Sequence, residues 1–295
     1  MLSSIFPVSS RQSLLVLGAS GLLGRYVALE AGERVGGELH LAAWRGTVPD
    51  VSKARLHRFD LRDRDKVRKF LEKVRPMEVI NCAGIVKSLC VNERDATIMN
   101  STLPHLIAQT ITPWNGRLIH VSTDCVFSGH RGSYAEKDPP DPVGLYGRTK
   151  LAGEVTEAPH LTIRTSFIGL EPPPAKGLLG WFLEQKGRVK GFRRSVWSGL
   201  TADTLAQMLV GLATRREVTG LLHLAGEAID KAALLRMAAR VFNKNDVVIE
   251  PVDEPVYDRS LDASRMRLLK IQPPSIQRML EEMSGKAGSS AVQAT

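Results

Sequence analysis

The stretch LLVLGASGLLGRYV, residues 14–27, constrains this chain more than any other. Four apolar residues run into Gly18, Gly21 and Gly24, and a helical pattern opens within the turn. A strand feeding a helix this way predicts a βα unit. Glycine permits the tight turn, and backbone N–H groups at the helix start can then approach a pyrophosphate. Gly18, Ser20, Gly21, Leu22, Leu23 and Gly24 are therefore candidate cofactor contacts. Such a turn can also be purely structural, so its meaning depends on the segments downstream of it.

Those segments alternate. Stretches rich in Val, Ile and Leu at 13–20, 38–44, 55–61, 77–84, 117–124, 161–169 and 221–226 read as strands. Between them, 21–32, 62–74, 93–111 and 142–157 read as helices. This rhythm predicts an α/β fold, a Rossmann-like doubly wound parallel sheet covered on both faces, with a smaller C-terminal substrate-binding part. The rhythm changes near residue 170, at the Pro-rich break EPPPAKG. Helices are expected at 176–186, 201–214, 229–242 and 274–283, and a strand at 247–251. Residues 1–170 then form a dinucleotide-binding domain to which 201–226 returns. Residues 171–283 form the smaller part, and 284–295 a small, polar tail expected to be disordered.

Composition narrows the function classes. With 43% hydrophobic and 24% charged residues, the chain reads as a globular enzyme or binding protein. No apolar run reaches a membrane span, and the start lacks a charged region followed by an apolar one. Cys82, Cys90 and Cys125 show no CxxC spacing, which fits a reducing cytoplasm. The net charge of +9 is concentrated at 53–69 and 186–194. Those runs read as solvated surface or as attraction for an anionic small molecule. Asp60, Asp63 and Asp65 interrupt the first run, which argues against nucleic acid. The seven histidines show no metal-ligand spacing, and Trp44, Trp114 and Trp181 read as packing residues.

The second strand ends Ala42-Ala43-Trp44-Arg45, without the acid that would receive a ribose 2′-hydroxyl. Arg45 suits a 2′-phosphate, which favours NADPH over NADH; the other reading is a solvent-facing arginine. Asp60-Leu61 closes the third strand, where the carboxylate either receives an adenine amino group or caps the helix starting near Arg62.

Ligands of open α/β sheets bind beyond the carboxyl ends of the strands, where Ser122, Thr123 and Asp124 fall. Asp141-Pro142 reads as an N-cap and first-turn proline, so Tyr146 and Lys150 would share one helix face. A phenol titrates near 10 and is a poor acid–base group at neutral pH. An ammonium about 5 Å away, at an effective dielectric near 20, favours phenolate by about 3 kcal/mol, or about two pKa units. That is the expectation for Tyr146. Thr123 would hold a substrate oxygen beside it.

These residues resemble an extended short-chain dehydrogenase/reductase, of the dTDP-4-dehydrorhamnose reductase group of sugar-nucleotide reductases. The matching segments are GASGLLG (18–24), NCAG (81–84), STDCVFSG (122–129), YGRTKLAGE (146–154), RTSFIG (164–169) and WSGLTADTLA (197–206). The resemblance implies Thr123, Tyr146 and Lys150 as the catalytic set, with Ala83 and Gly84 beside the cofactor. It implies that Asn100 supports the lysine, against the alternative of a purely local bond. It also implies reduction of a 4-keto group on a nucleotide-activated deoxysugar: hydride from NADPH, a proton from Tyr146, and Lys150 on the nicotinamide ribose. Asp124, Phe167 and Trp197 then face the sugar nucleotide, and Arg193 and Arg194 are candidates for its pyrophosphate. A homodimer is compatible with this reading.

Phe167 stands where these reductases usually carry Trp, and Cys125 where many members carry an aromatic residue; Cys125 reads as a small apolar filler. A dehydratase would want Glu at the position of Cys125. An epimerase would use the same Tyr–Lys pair while retaining its cofactor. From another class comes a non-catalytic NADP-binding regulatory subunit, like the relatives that modulate methionine adenosyltransferase.

Overall fold

The protein is described here by a computed structural model covering residues 13–171 and 177–287. Most of the Pro-rich break and the chain beyond 287 lie outside these residues.

The first compact unit comprises residues up to Val126, Pro142–Arg164 and Ala206–Leu222. Its elements are β1 (Leu14–Leu17), α1 (Leu22–Arg34), β2 (Leu39–Ala43), β3 (Ala54–Arg58), α2 (Arg64–Val74), β4 (Glu78–Asn81), α3 (Glu93–Ala96), α4 (Leu103–Ile111), β5 (Arg117–Val121), α5 (Leu145–Leu151) and β6 (Leu161–Arg164). A π-helical stretch, Thr97–Thr102, joins α3 to α4. A seventh strand, β11 (Gly220–His223), comes from much later in the chain. The sheet runs β11-β6-β5-β4-β1-β2-β3, and β1 to β6 pair in parallel. The order reverses between β1 and β4, which opens a crevice at their carboxyl ends.

β1, β2, β4, β5 and β6 are buried along their whole length, as strands covered on both faces must be. Leu15, Leu17, Val79, Leu118, Leu71 and Ile107 belong to one continuous core. At the opposite end of the sheet, Glu78 and Arg117 pair in register and are 2% and 0% exposed. Arg117 donates to the carbonyls of Pro159, Leu212 and Val218 at 3.1, 2.8 and 2.5 Å. One guanidinium thus ties three chain segments together.

The second unit, Phe127–Asp141, Thr165–Leu205 and His223 onward, contains β7 (Phe167–Ile168), α6 (Leu178–Glu184), β8 (Gly187–Phe192), β9 (Ser195–Trp197) and β10 (Leu200–Thr201). α7 (Ala202–Leu212) falls largely in the first unit, as does β11. Next come β12 (Ile229–Asp230), α8 (Lys231–Val241), β13 (Val247–Val252), β14 (Tyr257–Asp258), α9 (Ser264–Leu268) and α10 (Ile276–Ala287). β8 pairs in parallel with β13, so the basic run at 186–194 is mostly strand. Segment 127–141 also belongs to this unit, although it interrupts the first in sequence.

Two boundaries differ from expectation. α5 starts at Leu145 with Gly144 as N-cap, not at Asp141-Pro142. Asp141 is taken instead by Ser128, whose N–H and hydroxyl donate to it at 2.8 and 2.6 Å. α10 continues through 284–287, which the sequence assigned to a disordered tail, and Lys286 pairs with Asp203 at 3.2 Å.

Candidate active site

The glycine turn is shaped by contact. Gly18 has φ of +79°, and a Cβ there would meet Ala83 N at 2.7 Å; one on Gly24 would meet the Gly18 carbonyl at 2.0 Å. The first helical turn therefore sits against the end of β1, with β4's continuation alongside. Gly21 caps α1 without a side chain, leaving the amides of Leu22 and Leu23 in the orphan positions of a helix start. Ser20 sits just before the cap, and Gly84 is exposed beside buried Ala83. This is a cradle that only backbone approach can fill, and it fits a dinucleotide pyrophosphate.

Toward the β2 edge, the guanidiniums of Arg45 and Arg62 lie over the Trp44 ring at 3.8 and 4.3 Å from its centroid. Trp44 is 38% exposed, so it is a surface platform and not the packing residue expected. Trp181 is likewise exposed, whereas Trp114 packs against the core and donates to the Pro76 carbonyl. Asp60 does not cap α2. Asp63 does, accepting from Lys66 N, while Asp60 receives the Arg62 guanidinium, which holds its carboxyl below the ordinary range. Leu61 is buried.

At the carboxyl end of β5, Ser122 leaves the chemistry: it donates to Glu154 at 2.8 Å, which in turn pairs with Arg164 at 2.8 Å. Thr123 Oγ1 accepts from Cys125 N and donates to Asp124, each at 3.1 Å. Tyr146 is brought to Thr123 by close packing of α5 on the 124–126 turn. A Cβ on Gly147 would meet the Cys125 carbonyl at 2.2 Å, so the residue after the tyrosine must be glycine. Gly147→Ala is expected to displace the phenol and cut turnover by about 10²-fold, with NADPH affinity retained in a fluorescence titration.

The electrostatics overturn one expectation. The Tyr146 hydroxyl is pushed above its ordinary value, first by burial and then by Cys125; a hydrogen bond with Thr123 acts the other way. Burial and Cys125 outweigh any lowering by Lys150 in the free protein. Burial acts on Lys150 as well: it is 4% exposed, and burial brings its amine down to about 8. Its Nζ donates to the Val121 carbonyl at 2.7 Å and lies 3.3 Å from His120 Nε2. Burial makes the lysine's charge costlier to hold and so weakens it as a means of ionising the phenol.

Asn100 is hydrogen-bonded to the residue before the lysine. Fully buried in the π-helical stretch, it accepts from Ile85 N at 2.8 Å and donates to Thr149 Oγ1 at 3.1 Å. It thereby ties the loop after β4 to the residue preceding Lys150.

Most of the remaining candidates belong to the second unit. Trp197 is 6% exposed and spends its indole N–H on Ser166 Oγ at 2.8 Å, so it is a packing residue there and has no donor to spare. Arg193 is committed to Asp253 by two bonds of 3.1 and 3.0 Å, unlike the free pyrophosphate ligand expected. Arg194 is exposed and Phe167 half-buried on β7. Asp124 is buried in the first unit.

Sequence reasoning gave no role to Gly147 or Asn81, although both lie in the matching segments, and it missed His120, whose only signal was a polar residue inside an apolar strand.

The family described as RmlD substrate binding domain matches residues 12–275. The chain belongs to this family. It is 30% identical over 256 residues to a dTDP-4-keto-6-deoxy-D-glucose reductase of Streptomyces niveus, covering 81% of each chain. It is 26% identical over 282 residues to methionine adenosyltransferase 2 subunit beta of Xenopus tropicalis, covering 87% of this chain and 82% of that one. Its fold matches the dTDP-4-dehydrorhamnose reductase of Bacillus anthracis solved with NADP, at a TM-score of 0.75 and 19% identity, over 94% and 99% of the two chains.

Proposed function

We infer that the protein is an NADPH-dependent reductase acting on the 4-keto group of a nucleotide-activated deoxysugar. The observation that carries this reading is that Thr123, just past the carboxyl end of β5, and Tyr146 and Lys150 on α5 all belong to the same unit as the glycine cradle. The nicotinamide, when bound, supplies hydride to the carbonyl carbon. Thr123 holds the carbonyl oxygen beside the phenol. Tyr146, kept protonated by its surroundings, hands that oxygen a proton. Lys150 steadies the helix-facing side of the cofactor site. Phe167 and Arg194 are the candidates left for the nucleotide sugar. Incubation with NADPH and a panel of nucleotide 4-ketosugars tests the reading: loss of nicotinamide absorbance with one member supports it.

Arg45 supports the choice of NADPH. A charge-assisted contact to a 2′-phosphate is worth about 1.5–3 kcal/mol. Arg45→Ala is therefore expected to weaken NADPH binding by roughly ten- to a hundredfold while leaving NADH unchanged. Equal retention of both would return Arg45 to the solvent. Three half-buried, unbridged cysteines suit a cytoplasmic setting. A homodimer is open to sedimentation, where a single monomeric species would remove it.

The likeness to the methionine adenosyltransferase subunit favours one rival, a regulatory protein that binds the cofactor without consuming it. Tight binding without turnover on every sugar would select it.

A further inference from the structure

We propose that His120 is a positioning residue for Lys150, locked by Asn81 into the tautomer whose Nε2–H faces the lysine nitrogen and can donate to it only in its uncharged form. The inference rests on a chain of directed hydrogen bonds inside the first unit. The N–H of Ala83 can only donate, and it lies 3.1 Å from Asn81 Oδ1. The acceptor end of that amide is thereby fixed, and its NH₂ faces His120 Nδ1 at 3.2 Å. Two donors cannot share that contact, so Nδ1 accepts and the neutral ring carries its proton on Nε2. Nε2–H then points at Lys150 Nζ, 3.3 Å away. An ammonium has three donors and no acceptor, so it would oppose this N–H; an amine offers a lone pair. The same amine donates onward to the Val121 carbonyl.

The environment agrees with the geometry. Asn81 and His120 are both 0% exposed, so neither can turn to water for a partner. His120 lies well below the ordinary imidazole range, through burial, Lys150 and then His105 of α4. The groups bearing on Lys150 are His120 from β5, Cys82 after β4 and Glu154 after α5; Cys82 and Glu154 favour its charge, and burial outweighs them. The consequence is that the tautomer helps to hold the Lys150 amine near 8, so that ribose hydroxyls entering the site meet a lysine poised between its two forms. That consequence rests on the reading of Lys150 as a cofactor-site lysine; the tautomer does not.

The test begins with the ring itself. Long-range ¹H–¹⁵N spectra of the cofactor-free protein, with His120→Gln identifying the signals, should show a neutral ring protonated on Nε2 between pH 6 and about 9. A ring protonated on Nδ1, or doubly protonated, overturns the proposal whatever the protein's activity. Asn81→Asp offers the second arm. A carboxylate accepts from both Ala83 and His120 Nδ1–H, which reverses the ring and lets Nε2 accept from an ammonium. The lysine-dependent limb of NADPH binding against pH, read by fluorescence, should then move up by about one unit or more. In a His120→Leu background the same substitution should move it far less. Equal shifts in both backgrounds would mean that only the added charge acts, and would overturn the proposal.

Discussion

Tyr146→Phe is expected to lower turnover by about 10²–10⁴-fold, the contribution of a positioned general acid, while NADPH binds within a fewfold of the wild type. The substitution removes one oxygen and keeps the half-buried ring that packs beside the 124–126 turn. Thr123 keeps its bonds with Asp124 and Cys125 N, so the site's frame survives. On the proposed reading, cofactor affinity rests on the glycine cradle and on Arg45, neither of which the change touches. Stopped-flow single turnovers with a ketosugar substrate measure the loss at the chemical step. The raised value of the phenol sharpens the expectation. A reductase needs the protonated form, and Tyr146 holds it across the neutral range. The wild-type rate should therefore show no fall near pH 7 to 8 assignable to the phenol losing its proton. Turnover of the variant within about tenfold of wild type would remove Tyr146 from the acid role.

The second large effect concerns stability. Arg117→Met is expected to cost about 3–5 kcal/mol, because it strips three buried carbonyls of a donor and leaves Glu78 with Arg216 alone. In a chain of this size each kcal/mol moves Tm by roughly 2–4 °C, so a fall of about 10 °C is expected. Turnover per folded molecule should be little affected, since Arg117 opens β5 at the end opposite Thr123. A Glu78→Gln change in the Arg117→Met background should recover part of the loss, because a buried carboxylate left with one of its two guanidiniums gives way to a neutral amide. A midpoint within about 1 kcal/mol of wild type for the single variant would show that other donors replace the guanidinium.

The sequence made the first unit legible because its signals are local and repeated. Each of β1, β2, β4 and β5 is an apolar run ending near a turn residue, and each parallel strand is buried along its length, so periodicity and burial agree. The glycine turn was equally readable, since its reason is steric contact within a few residues and with Ala83. The second unit was harder. β8 hid within a basic run, and β9 just beyond it, because their pairing partners, β13, β12 and β14, lie 32 or more residues away. Nothing local to KGRVKGFRR specifies a strand.

In the site, residue identities could be read but not their electrostatics. YGRTK announced a phenol and an amine one turn apart, and a pairwise estimate had the amine ionising the phenol. Burial of the phenol itself, with Cys125 beside it, outweighs that pull. Likewise Arg193 read as a free cation until Asp253, sixty residues on, was placed against it. Charge runs show what a chain carries; long-range partners decide what remains available.

If the phenol at the end of β5 delivers a proton as a nicotinamide delivers hydride, an isotope on the cofactor must reach the sugar. The decisive experiment uses NADPH deuterated at the transferring position and a nucleotide 4-ketosugar, with the product read by mass spectrometry. One deuterium at the sugar's C4 and one cofactor oxidised per product are expected, both lost together in Tyr146→Phe. An unlabelled sugar with the cofactor returned intact, or a tightly held cofactor that no ketosugar oxidises, would contradict that assignment.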